Sequence, residues 1–184
     1  MIHGKQVFLR GLEREDLDLL HKWLNDEEVM RWARSKPDHV ATAESLDKEY
    51  EQELKGESTR RRTFIIVENQ TQKPIGWGGI RWWRPFHTTA DIGLAIGEKE
   101  FRSRGIGTEV TRLLVELAFE QHNMHKAELW TLAENTAAIG AATKNGFKEE
   151  GRFRESVYFD GKFHDALMFG LLRQEYEKSK TATK

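Results

Sequence analysis

The chain has 184 residues, the size of one domain with its own core, and no cysteine, which excludes disulfides, thiolate metal sites and a cysteine nucleophile. Its 29 Lys and Arg against 30 Asp and Glu leave a net charge of −1, so no global field draws it to nucleic acid. Apolar runs such as Phe64 to Val67 fall far short of the ~18 residues of a membrane helix, and Met1-Ile2-His3-Gly4-Lys5 lacks the build of a signal peptide. A cytoplasmic protein is therefore expected, with Asn69-Gln70-Thr71 as an idle glycosylation sequon.

Gln6 to Arg10 reads as a short strand stopped by Gly11, and Asp16 as the N-cap of a helix carrying Leu17, Leu19, Leu20, Trp23 and Leu24 at helical spacing. Residues 25–38 form a loop whose acidic run, Asp26-Glu27-Glu28, either draws a cation or ends a helix in solvent. Leu46, Tyr50 and Leu54 mark a surface helix over Thr42 to Leu54. Thr63 to Val67 is a β-branched, apolar strand, followed by a turn over 68–74. Ile75 to Trp83 alternates, with Ile75, Trp77, Gly79, Arg81 and Trp83 on one face and Gly76, Gly78, Ile80 and Trp82 on the other.

Thr88 to Ile96 is a fourth strand, in which Gly93 and the following Gly97 point to a bulge or to another backbone coming close. From Gly105 the spacing of Val110, Leu113, Leu114, Leu117 and Ala118 gives the clearest helix of the chain. Ala127 to Leu132 is a fifth strand, and Thr136 to Lys144 an Ala-rich helix closed by Asn145-Gly146. Two more strands meet at Asp160-Gly161, a type I′ hairpin signal. The polar residues 177–184 are expected to fray, leaving 1–176 as the single domain.

The stretch Arg102-Ser103-Arg104-Gly105-Ile106-Gly107-Thr108 joins a strand to that clearest helix. A helix start leaves about four N–H groups without intrahelical partners and adds partial positive charge, so it suits a phosphate. Gly105 and Gly107 let an anion approach the backbone, and Arg102 and Arg104 bring charged donors from the sides. A tight strand-to-helix turn with solvated arginines explains the same residues. Neither the lysine of a P-loop nor the third glycine of a dinucleotide fingerprint is present.

Arg102-x-x-Gly105-x-Gly107 resembles the Arg/Gln-x-x-Gly-x-Gly/Ala signature of the GNAT N-acetyltransferases. Asn135, Ala138, Ile139, Lys144 and Gly146-Phe147 are similar to the second segment of that family. Ala90 to Leu94, Ile96-Gly97 and Gly107-Thr108-Glu109 further resemble the branch of ribosomal-protein alanine N-acetyltransferases and spermidine acetyltransferases. The resemblance covers most of the chain. It implies an α/β (α+β) fold with a mixed, mostly antiparallel sheet of about seven strands, splayed in the middle and flanked by about four helices.

The resemblance also implies a direct transfer of acetyl from acetyl-CoA to a primary amine. Leu94, Ala95 and Ile96 would pair with the pantetheine arm, and the pyrophosphate would rest on Arg102, Arg104, Gly105, Ile106, Gly107 and Thr108. Asn135 would hold the arm, cap the helix that follows, or do both. Asp91 would deprotonate the amine through water, unless it is only a strand-end carboxylate. The family's tyrosine acid is replaced by Ala142, so Tyr158 or Ser156 substitutes only if folding brings it near.

One carboxylate and no tyrosine match an α-amine, of pKa about 8, better than an alkyl ammonium near 10.4, a gap of roughly 3 kcal/mol. A peptide N-terminus is thus the main expected acceptor, with a polyamine, amino sugar or aminoglycoside, or a non-catalytic CoA-binding module, as alternatives. No metal is expected: His122 and His125 have no third ligand nearby in the sequence. Trp77, Trp82 and Trp83 read as core or as a homodimer surface rather than as base-stacking platforms, and Arg60-Arg61-Arg62 as a solvated loop.

Overall fold

The structure, a computed structural model, describes residues 1–32, 40–55, 61–82 and 88–182. Trp83 and Arg60 lie outside the described residues. Eight strands form one sheet: β1 (Ile2–His3), β2 (Val7–Gly11), β3 (Arg61–Glu68), β4 (Pro74–Arg81), β5 (Thr89–Ile96), β6 (Lys126–Leu132), β7 (Lys148–Phe159) and β8 (Lys162–Leu172). Their order is β1-β2-β3-β4-β5-β6-β8-β7. The described helices are α1 (Leu17–Leu24), α2 (Glu27–Met30), α3 (Ala43–Leu54), α4 (Ile106–Glu116), α5 (Thr136–Lys144) and α6 (Arg173–Ala182).

Every neighbouring pair is antiparallel except β5 and β6. That parallel pair holds for three partners only, Thr89 with Lys126, Ala90 with Ala127 and Asp91 with Glu128. Beyond them β5 continues along β4 as far as Ile96, and β6 continues along β8 as far as Leu132. The two strands diverge into a V, the expected splay.

Two cores hold the V open. On one face α4 and α5 cover Val7, Leu9, Ile66, Ile80, Ile92 and Leu129 with Val110, Leu113, Leu114 and Ala142. On the other, Leu20, Trp23, Val29 and Leu46 of α1 to α3 pack on Ile65 and Val67. Trp77 joins this second core, its ring stacked on Trp23 at 6.0 Å and 12°. Trp82 faces the α4 side and tilts against His122.

The expected alternation holds for 76–82, but Ile75 crosses over. Ile66 pairs with Gly76 and Val67 with Pro74, so Ile75 is an extra residue in β4 and joins the α4-side core. Asp16 does not cap α1 with its side chain, because its carboxylate takes Arg10 at 2.6 and 2.7 Å and the Glu13 N–H at 2.9 Å. Asp26 instead caps α2 through Val29 N, and Thr42 with Ser45 forms a reciprocal cap on α3.

Residues 177–182 are helical. They complete α6, which Tyr176 and Lys180 pin to Glu120, and which Arg173 ties to the carbonyls of Phe119 and Met124. At the hairpin Asp160 and Gly161 have φ of 49° and 75°, the two positive values of a type I′ turn.

Candidate active site

The phosphate loop begins where β5 ends. Gly97 N and Glu98 N both donate to Ile75 O, at 2.8 and 3.1 Å, which turns the chain back over β4. Arg102 then closes the loop. Its Nε donates to Ile96 O at 3.1 Å and its Nη2 to Gly97 O at 3.0 Å, while its Nη1 meets Glu28. The guanidinium thus braces the end of the strand from behind, a role that spacing alone did not distinguish from direct phosphate contact. Arg104 is exposed and lies over the Phe101 ring at 5.3 Å.

Gly105, with φ of +80°, is the N-cap of α4 and offers no side chain to the first turn. The first intrahelical bond runs from Glu109 N to Gly105 O, so the N–H groups of Ile106, Gly107 and Thr108 face outward without a cap. Glu109, an acid in this turn, is turned away to the N–H groups of Lys5 and Gln6. A Cβ on Gly107 would meet nothing nearer than Leu94 Cδ1 at 3.9 Å. The uncapped helix start therefore opens directly onto the free edge of β5, where Leu94, Ala95 and Ile96 have no β6 partner. This cradle fits a pyrophosphate followed by an extended arm.

On the opposite wall Asn135 follows β6. Its Oδ1 accepts from Ala138 N at 3.1 Å and caps α5, and its Nδ2 has no partner among the described residues. The preceding Glu134 pairs with the buried His164 at 2.9 Å, a brace the sequence reading missed because His164 lies 30 residues away on β8. Ala142 is fully buried in the α4-side core. Ser156 donates to Phe153 O in β7, and Tyr158 packs on Phe163 beside the hairpin. Both lie on β7, which β8 separates from β6 in the sheet.

Asp91 sits at the base of the V. Its Oδ2 accepts from Arg81 Nε and Nη2 at 3.2 and 2.6 Å, and the parallel register sets it beside Glu128. The acidic run is divided: Asp26 caps α2, whereas Glu28 pairs with Lys99 at 3.1 Å and with Arg102. His122 is pushed down by burial and by the positive charge of Arg62. The described residues contain no cluster of three or more metal-ligating side chains, and no described helix is long and apolar enough to cross a membrane.

Glu98 ties the loop to α1. It accepts from Lys22 Nζ at 2.8 Å and from Trp23 Nε1 at 2.9 Å. The Lys22 ammonium first, and then the indole N–H against the opposing cost of burial, hold its carboxyl at about 2 from an ordinary 4.5. This contribution to stability is present above pH 4.5 and is lost as pH falls toward 2. Glu98→Gln is expected to flatten the acid loss of stability across that window in pH-dependent urea melts; an unchanged slope would refute the pairing.

A profile of the acetyltransferase (GNAT) domain matches residues 6–148. An uncharacterised N-acetyltransferase of Bacillus licheniformis is 27% identical over 95% of this chain and 97% of its own. The spermidine N(1)-acetyltransferase of Escherichia coli is 29% identical over 96% of this chain and 91% of its own. The crystal structure of the Vibrio cholerae spermidine N-acetyltransferase with CoA and spermine shares the fold, with a TM-score of 0.84 at 24% identity over 95% of this chain and 99% of that one. The uncapped helix start, the splayed strands and the profile match agree: the chain belongs to the GNAT acetyltransferase family, the N-acetyltransferases that draw on acetyl-CoA.

Proposed function

We propose that the acceptor is the primary amine of a small molecule, bound on the α1–α3 side of the V with Asp91 as its proton acceptor. The observation that carries this reading is a carboxylate at the base of a cleft whose mouth is an uncapped helix start. The spermidine acetyltransferases that match along nearly the whole chain support a small amine over the peptide N-terminus favoured by pKa matching alone. The peptide reading stands second: a ribosomal N-acetyltransferase of Bacillus subtilis, YdaF, is 34% identical, over 50% of this chain and 49% of its own.

When bound, acetyl-CoA supplies the acetyl group and the thiol leaving group. The N–H groups of Ile106 to Thr108 hold its phosphates, the β5 edge from Leu94 to Ile96 aligns its arm, and Asn135 Nδ2 steadies it from the other wall. Arg81 fixes one oxygen of Asp91, leaving Oδ1 to take a proton from the ammonium through water. Overall a thioester C–S bond is replaced by an amide C–N bond, and the ammonium gives up two protons, one to solvent and one ending on the thiol. Ala142 offers no proton donor, so water fills that part.

Asp91→Asn tests the base. Turnover is expected to fall roughly a hundredfold near pH 7 and to recover toward wild type near pH 10, where more of the amine is already free. A loss that is the same at both pH values would remove Asp91 from that role.

A further inference from the structure

Trp130 stands in the splayed half of β6, two residues past the last β5–β6 pair. Paired residues of a parallel ladder share a face and side chains alternate, so Asp91 and Gly93 of β5 and Glu128 and Trp130 of β6 all project to the α1–α3 side. Continued across the V, the register sets Trp130 opposite Gly93. A Cβ on Gly93 would meet nothing within 4 Å, and Trp130 is 48% exposed. The base of the V therefore has carboxylates at its inner end, open space over Gly93 and an indole along one wall.

The aromatic surface runs on from there. Phe153 of β7 leans on Trp130 with centroids 4.7 Å apart and is itself 42% exposed, and Met168 of β8 is the cross-strand partner of Trp130. Of the acids beside this surface, Glu150 pairs with Lys126 and Asp165 with Arg152, and the exposed Glu155 lies near Phe153. Beyond the carboxylates, the wall presents the exposed ring faces of Trp130 and Phe153.

We propose that Trp130 is the specificity-determining wall of the acceptor site and that the preferred acceptor is an arylalkylamine, one primary ammonium on a short chain ending in an aromatic ring. The ammonium meets the carboxylates and the indole face, and the ring stacks along Trp130 toward Phe153. The inference rests on the acetyltransferase reading of the V.

Phenethylamine and spermidine are the probes, read by calorimetric binding to the CoA-saturated protein and by steady-state acetyl transfer. Phenethylamine is expected to bind, and to show a kcat/KM at least tenfold above that of spermidine. Trp130→Ala should lower phenethylamine kcat/KM about tenfold more than that of spermidine and leave the KM for acetyl-CoA unchanged, and Trp130→Phe should restore most of the loss. Because the side chain is half exposed, an unchanged melting temperature shows that the variants fold. Spermidine turned over ahead of phenethylamine, or Trp130→Ala depressing both amines equally, overturns this inference alone. Transfer to no amine overturns it together with the function on which it rests.

Discussion

Gly107→Glu is expected to weaken CoA binding by roughly a hundredfold or more, since it sets a carboxylate among the N–H groups where the phosphates would stand. The same change should leave the melting temperature nearly unaltered. In the free protein a Cβ at 107 meets only Leu94 Cδ1, at 3.9 Å, and an acid in the first turn of a helix suits its dipole. A loss of binding without a loss of stability would thus report on the ligand and not on the fold. Gly107→Ala provides the graded control: it fits the bare protein equally well, and it should weaken binding by about tenfold because the methyl narrows the approach to the backbone. Calorimetry with CoA reads both, and unchanged affinity in Gly107→Glu would remove the phosphate site from this loop.

The parts of this site legible in the sequence are those whose chemistry is local. A helix start is announced within a few residues by glycines, apolar spacing and the absence of a capping side chain, so the loop from Arg102 to Thr108 and the Asn135 cap were readable. What the sequence hid depends on register between distant segments. Glu128 and Trp130 lie 37 residues beyond Asp91 and Gly93 and meet them only through a parallel pair three residues long. The bulge at Ile75 was hidden because Ile75 continues the period of its strand while leaving its face. A two-residue strand at Ile2–His3, a one-turn helix at Glu27–Met30 and the polar α6 carry too little periodicity to register; the last is held by long-range bonds to Glu120 that its own composition does not reveal.

Gly97 shows the same contrast, and it yields the largest expected effect on stability. Its sequence context suggested a bulge or a close backbone approach, and its N–H does join that of Glu98 on Ile75 O; a side chain there would meet the Trp23 indole. A Cβ at 97 would lie 2.4 to 2.5 Å from Trp23 Nε1, Cδ1 and Cδ2. That ring cannot step aside: it is fully buried, stacked on Trp77 and bonded through Nε1 to Glu98. Gly97→Ala is therefore expected to cost about 3 kcal/mol in urea unfolding, the upper range for overpacking a rigid site. The cost should also reach the coenzyme, because Gly97 O anchors Arg102 and Gly97 N anchors the turn on Ile75, so displacing this residue shifts the whole phosphate loop and raises the KM for acetyl-CoA. Trp23→Leu in the same chain removes the obstructing ring, and the double variant should then lose clearly less stability than the sum of the two single changes. Strict additivity, or a Gly97→Ala cost below about 1 kcal/mol, would mean that the indole does not seat on this glycine and that α1 and the phosphate loop are independent.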